Sequence, residues 1–335
     1  MSARTLVTRL DSAGDVLLAG PAVRAVARSG ASVPLLCSRK GLAAAQLLPD
    51  VSEILVFDAP WVHGDPPPLR ARDLASLSWR LYRRRFDDAV ILTSSFQSSL
   101  PMAMLLRAAR VGRICGVSDD YPGSLLDVRV RVDDGLHEAE RAAAIAQAAG
   151  YPADGEGPRI REDLPEVPGW APGGPYVVLH PGAEVPARMW DPDLARDAVE
   201  LMQREGHRVV VTGGPDERAL TAHVAGAHGV DLGGRTTLAQ LAGVLRGAQA
   251  VVVGNTGPAH LAAALGAPVV SLFSPVVPAH KWAPYTDRLL VLGDQYAACA
   301  QTRARECPVA GHPCLRSVGP RDVLAAVETL TRVVA

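Results

Sequence analysis

The stretch 233–275, GGRTTLAQLAGVLRGAQAVVVGNTGPAHLAAALGAPVVSLFSP, constrains the fold more than any other part of this chain. It reads as helix, strand, tight loop, helix, strand. Leu238, Leu241, Ala242 and Leu245 recur at helical spacing, and 249–253 is a short run rich in valine. Gly254, Asn255, Thr256 and Gly257 make the turn, and Pro258 suits the first helical position, where its missing N–H costs nothing. Amides left free at that helix start, with the positive end of the helix dipole, form a site for phosphate. His260 falls in the same first turn. A strand, a glycine loop and a helix also make a plain connector in an α/β domain. Two loops of the same logic elsewhere favour the functional reading.

The alternation extends along the whole chain. Residues 5–10 read as a strand, 11–15 as a polar loop, and 16–28 as a helix with Val16, Ala19, Val23 and Val26 towards a core. Short apolar runs at 32–37, 54–57 and 88–93 are further strands, separated by helices. Residues 59–72 form a Pro-rich loop with Trp61, His63, Arg70 and Arg72. Arg80, Arg83, Arg84 and Arg85 close the next helix and read as a solvated, dipole-compensating end. The Pro- and Gly-rich segment 151–175 is a linker. The pattern then restarts with a strand at 176–180, a helix at 192–205, a strand at 208–212 and a helix at 215–228. After the central stretch come an irregular region, 276–317, and a last helix, 320–334. Strands alternating with helices twice over imply an α/β fold of two doubly wound, Rossmann-like parallel-sheet domains. We set these at 1–160 and 161–318, with a helical segment, 319–335, returning to the first domain. Ligands of such sheets bind beyond the carboxyl ends of the strands.

Composition narrows the function classes. The 335 residues suffice for two cores, and a net charge of −1 excludes a nucleic-acid partner by bulk charge. Lys40 and Lys281 are the only lysines, a bias that fits a GC-rich bacterial genome. Asp11 and Asp15 interrupt the apolar start, so a secretory signal is not expected, and no apolar run is long enough for a membrane span. Five cysteines, an odd number, point to the cytoplasm rather than to a disulfide framework.

Four loops carry candidate chemistry. Asp15, after the first strand, is a candidate general base or the N-cap of the next helix, roles that are compatible. His180, Pro181, Gly182, Ala183 and Glu184 follow a strand, and Arg188 beyond them offers a fork-shaped cation for a diphosphate. Asp191, Pro192 and Asp193 match a metal-binding Asp-x-Asp pair, but helix capping explains them fully. Glu217 follows Gly213-Gly214-Pro215-Asp216 and suits either ribose hydroxyls or a helix start. Cys299, Cys307, His312 and Cys314 could ligate zinc, yet no Cys-x-x-Cys knuckle is present, so a packed reduced loop and no metal are expected. No Gly-x-Ser-x-Gly elbow, Gly-x-Gly-x-x-Gly or Walker sequence occurs.

The order of these loops resembles glycosyltransferase family 9, the bacterial ADP-heptose heptosyltransferases of GT-B fold. The matching elements are Arg9 with Gly14-Asp15-Val16-Leu17, His180-Pro181-Gly182-Ala183-Glu184 with Arg188-Met189-Trp190, Gly213-Gly214-Pro215-Asp216-Glu217, and Asn255-Thr256-Gly257-Pro258-Ala259-His260-Leu261. Arg305-Glu306-Cys307-Pro308 with Gly311-His312-Pro313-Cys314 is similar to the family's cysteine-containing loop. The resemblance implies two domains facing across a cleft, the first binding the acceptor and the second a nucleotide sugar. It makes Asp15 the base and Arg188 the cation on the donor diphosphate, with Arg9 and Gly14 on the acceptor side. Thr256, Gly257 and His260 would hold phosphates, Glu217 the ribose, Thr236 the base, and Ala183, Glu184 and Asn255 the rest of the donor. The family usually has Lys at the place of Arg188, and some members have Asp at that of Asn255.

The implied activity is inverting, metal-independent transfer of a sugar, foremost a heptose from ADP-heptose, to a hydroxyl of a glycan or natural product. No cofactor is implied beyond the nucleotide-sugar substrate, nor any partner beyond that donor and its acceptor. A cytoplasmic monomer with at most peripheral membrane contact is expected. The alternatives are a nucleotide-sugar 2-epimerase of the same fold and a non-catalytic sugar-nucleotide-binding protein.

Overall fold

The computed structural model describes residues 3–62, 66, 68–165 and 173–332. His63, and 333–334 at the end of the expected last helix, lie outside the described residues. The chain divides into two compact units, Met1–Arg161 and Glu162–Ala335.

The first unit holds the strands β1 (Thr5–Arg9), β2 (Pro34–Cys37), β3 (Glu53–Val56), β4 (Asp88–Ile91), β5 (Arg113–Val117) and β6 (Val128–Val130). They form one sheet in the order β3-β2-β1-β4-β5-β6, with every pairing parallel. The second unit holds β7 (Val177–His180), β8 (Val209–Val211), β9 (Val230–Asp231), β10 (Ala250–Gly254), β11 (Val269–Leu272) and β12 (Leu289–Leu292). Its order is β12-β11-β10-β7-β8-β9, again parallel throughout. Helices cover such sheets on both faces, so the central strands are apolar without alternation. β1, β7 and β10 are buried at every residue. Leu6, Leu36, Ile91, Met102 and Ile114 anchor one core, and Val177, Leu179, Val199, Val252 and Leu272 another. Each side chain buried this fully contributes roughly 1.5–3 kcal/mol.

Strand order reverses between β1 and β4 in one sheet and between β7 and β10 in the other. Crevices at such reversals lie at the carboxyl ends of the two flanking strands. The loops to inspect are therefore those after β1 and β4, and those after β7 and β10.

Several elements differ from the sequence reading. The first helix begins at Ala13, not Val16, with Ser12 as N-cap, so Asp15 is the third helical residue rather than the cap. That helix stops at Leu18 and a second runs over Gly20–Arg28, because Pro21 has no N–H to continue the ladder. The region 276–317 is not wholly irregular, since β12 within it pairs with β11. The helix Pro320–Arg332 falls within the second unit, packing on the helix Pro192–Arg204 and on β10, β11 and β12. Its buried stripe of Val323, Val327 and Leu330 fits a helix face but does not name the surface it meets. Among the described residues no helix is long and apolar enough to cross a membrane.

Candidate functional site

At the reversal of the first sheet, Arg9 ends β1 with its side chain 3% exposed and meets three carboxylates. Its Nε lies 2.8 Å from Asp11, and its Nη2 lies 2.9 Å from Asp15 Oδ1 and 3.4 Å from Glu138 Oε2. A buried cation is tolerable only with such partners. Burial alone would lower the proton affinity of Arg9, but the fields of Asp11, Asp15 and Glu138 outweigh it and the net shift is upward. Asp15 is fixed from its own helix as well. Its Oδ2 accepts from the Ser12 hydroxyl at 2.6 Å and from the Ser12 amide at 3.3 Å. Oδ1 is thus turned to Arg9 and Oδ2 to the cap.

The loop after β4 completes this cluster. Gln97 donates its side-chain amide to Asp11. Burial pushes the Asp11 carboxyl up to about 6, with Arg9 opposing and Asp15 adding to the rise. Glu138 is raised by burial against the pull of Arg9 and Arg141, and Arg141 is lowered by burial despite Glu138. Gly14 is buried beside Asp15 in the same turn. Arg9, Gly14 and Asp15 are therefore together, as expected. Asp11, Gln97, Glu138 and Arg141 were not singled out as site residues from the sequence: Asp11 reads there as part of a polar loop, and only the fold brings Gln97, Glu138 and Arg141 to this cluster.

At the reversal of the second sheet, the loops after β7 and β10 approach closely. Gly254 passes so near the Arg188 carbonyl that a Cβ there would lie 3.0 Å from it. Arg188 ends a short 3-10 turn, Pro186–Arg188, whose geometry is held from outside. The Ala187 amide donates to Arg305 O at 2.9 Å, and His312 Nε2 lies 3.2 Å from Ala187 O. The cysteine-containing loop thus clamps the turn that carries Arg188. On the other strand, Thr256 is the N-cap of the helix Gly257–Ala264, and its hydroxyl does not cap that helix. The first amides of a helix have no intrahelical partner, which leaves them for an anion. His260 is buried in this first turn, and Asn255 is buried with its Nδ2 lacking an acceptor among the described residues.

The remaining expected donor residues are spread around these loops. Glu217 Oε2 accepts from the Gly214 amide at 2.7 Å and lies 4.0 Å from His180 Nε2. Its side chain lies over Gly182, where a Cβ would meet Oε1 at 1.9 Å, so a side chain at 182 would push the Glu217 carboxylate aside. His180 bonds Thr212 at 3.0 Å, and burial lowers its proton affinity against the opposing pull of Glu217, favouring the neutral ring. Ala183 is half-buried and Glu184 exposed in the same loop. Thr236 stands half-buried just before Thr237, the cap of the helix Leu238–Arg246. Among the described residues no group of three or more His, Cys, Asp or Glu is arranged to hold a metal ion. Cys299 and Cys314 are buried and Cys307 half-buried, with its thiol towards Val309 O at 3.2 Å.

Residues 74–312 match the family model of glycosyltransferase family 9 (heptosyltransferase). The chain belongs to glycosyltransferase family 9. Lipopolysaccharide heptosyltransferase 1 of Pseudomonas aeruginosa, a similar protein, is 31% identical over 241 residues, which cover 68% of this chain and 66% of that one. The family 9 glycosyl transferase of Veillonella parvula superposes with a TM-score of 0.80 at 19% identity, over 99% of this chain and 98% of its own. The Escherichia coli heptosyltransferase WaaC with ADP gives 0.72 at 19% identity, over 98% and 99%. At that identity the solved structures establish the GT-B fold for this family 9 chain. Arg9 and Asp15 precede the matched residues 74–312, so their placement rests on the geometry above.

Proposed function

We propose that this family 9 protein is an inverting glycosyltransferase that moves a heptose from ADP-heptose to a hydroxyl of a glycan or natural-product acceptor. The observation that carries the reading is the pairing, at one sheet reversal, of the clamped Arg188 turn with the helix start at Thr256–Gly257. A cation and a dipole-bearing amide cluster there suit a diphosphate, and the related WaaC structure contains ADP. Asn255 Nδ2, without an acceptor among the described residues, supplies one more donor for an oxygen of the nucleotide sugar.

In the reaction the acceptor oxygen attacks the anomeric carbon as the bond from that carbon to the diphosphate breaks. Asp15 takes the acceptor proton. Arg188 and the helix-start amides receive the charge that develops on departing ADP. Glu217 is proposed for the ribose, Thr236 for the nucleobase, and Thr256, Gly257 and His260 for the phosphates. Ala183 and Glu184 would border the sugar, while Arg9 and Gly14 shape the acceptor side around Asp15. Every charge formed has a protein partner in this scheme, so no metal is assigned to it. Five unpaired thiols suit a reducing compartment, and we place the activity in the cytoplasm.

The test is release of ADP from ADP-heptose by the purified protein, with and without heptose-free lipopolysaccharide core. Release that depends on the acceptor, with a new glycosidic product by mass spectrometry, is expected. Conversion of the donor sugar without acceptor would instead indicate the epimerase reading, and binding without turnover the non-catalytic one.

A further inference from the structure

Glu138 opens the helix Glu138–Ala148, a position where an acid usually serves the helix dipole at the surface. Here other residues meet that need. His137 Nδ1 accepts from the Ala139 amide at 3.1 Å, and Glu140 accepts from the His137 amide at 3.2 Å, completing a capping box. Glu138 is instead 1% exposed and reaches Arg9 across 129 residues of chain. Its carboxylate also accepts from the Ser95 backbone amide. Helix capping does not explain a carboxylate so placed.

We infer that Glu138 is a positioning residue for Asp15, acting through Arg9: it shares the guanidinium with Asp15 and limits how much of the Arg9 charge that carboxylate feels. The inference rests on the reading of Asp15 as the base. Both carboxylates touch the same Nη2 atom, at 2.9 Å for Asp15 and 3.4 Å for Glu138. Asp11 engages the guanidinium from its Nε side, and Gln97 holds Asp11. Arg141, one helical turn beyond Glu138, donates to Thr93 O at 3.3 Å and faces Asp119 and Asp134 as well as Glu138. The charged groups around Asp15 thus include Arg9, Asp11 and Glu138, with Arg141 behind Glu138. A lone Arg9–Asp15 pair would hold the carboxylate ionised but make it a poor proton acceptor. Dividing Arg9 among three carboxylates keeps Asp15 oriented while leaving it basic.

Glu138→Gln keeps the shape and removes one negative charge close to Asp15. The freed share of the Arg9 charge then falls on Asp15, whose titration moves to lower pH by about one unit. Full-length protein with carbon-13-labelled aspartate carboxyls reads this directly by NMR, with the Asp15 resonance assigned by its loss in Asp15→Asn. The acid limb of turnover, measured with ADP-heptose and heptose-free lipopolysaccharide core, is expected to move the same way, while turnover on the plateau falls about tenfold and ADP affinity holds. Glu138→Asp keeps the charge at greater distance from Arg9 and is expected to give a smaller displacement, which also serves if the Gln variant does not fold. An Asp15 titration unchanged or raised in Glu138→Gln, or unchanged in Glu138→Asp where only that variant folds, overturns the inference. The base reading fails separately, by Asp15→Asn retaining turnover. A purely structural role would lower thermal stability in both variants without moving the titration.

Discussion

Truncating Arg188 to alanine removes the cation proposed to meet the donor diphosphate, while the backbone contacts that hold its turn remain. The turn carrying Arg188 is fixed by its backbone: Ala187 donates to Arg305 O at 2.9 Å and lies 3.2 Å from His312 Nε2 through its carbonyl. Gly254 packs on the Arg188 carbonyl, not on the side chain. The backbone contacts that hold the loop are thus kept when alanine removes the guanidinium. A charge-assisted hydrogen bond contributes about 1.5–3 kcal/mol net. ADP should then bind roughly 10- to 150-fold more weakly to Arg188→Ala, by the usual 1.4 kcal/mol per decade. Transfer should slow by more than binding weakens, because negative charge on the diphosphate grows as the glycosidic bond breaks. Arg188→Lys should recover much of both, since it returns the charge though not the fork. Titration calorimetry with ADP on the three proteins decides the matter. Equal affinity in wild type and Arg188→Ala would remove Arg188 from the donor site.

Three further outcomes are expected. Metal analysis should find no stoichiometric zinc or iron, and transfer should survive a chelator; a metal lost together with activity in Cys307→Ala would reverse this. Asp154 pairs with Arg24 at 2.8 Å and Arg28 at 2.9 Å, and the Arg24 hydrogen bond foremost holds its carboxyl far below the usual range. Its contribution, about 1 kcal/mol, is present above about pH 4 and is lost as pH falls towards the folded value, so denaturant melts of wild type and Asp154→Asn should differ at pH 7 and converge in acid. Asp11 has the opposite sign: with its folded value raised to about 6, the folded state takes up a proton as pH falls from about 6 towards 4 and gains stability there, an increment that Asp11→Asn should abolish in the same melts.

Strands β7, β8, β10 and β11 of the second sheet and the loops after β7, β8 and β10 were legible in the sequence because each depends on short-range pattern. Valine-rich runs such as 250–253 mark buried parallel strands, and Gly254, Gly257 and Pro258 mark the turn into a helix. The order of such loops along the chain identified the family. The Arg9 cluster was only half legible. Arg9 and Asp15 are six residues apart, whereas Glu138 reaches them only through the fold, and its place at a helix start conceals it as an ordinary dipole acid. The break at Ala19 was readable from Gly20-Pro21 but hidden by the helical spacing of Val16, Val23 and Val26. β12 escaped because its four residues lack both alternation and a following helix pattern. The partner of the helix Pro320–Arg332 was not encoded in its own apolar stripe.

The central claim is that Asp15 accepts the acceptor proton in transfer from an ADP-linked sugar. Asp15→Asn is the most direct test, because asparagine at this third helical position can still accept from the Ser12 hydroxyl and amide that bond Asp15 at 2.6 and 3.3 Å. The measurement is kcat for ADP-heptose with heptose-free lipopolysaccharide core, alongside calorimetric ADP affinity, on wild type and variant. Turnover lower by about a hundredfold or more at unchanged ADP affinity is predicted. Turnover within a few-fold of wild type would contradict the account.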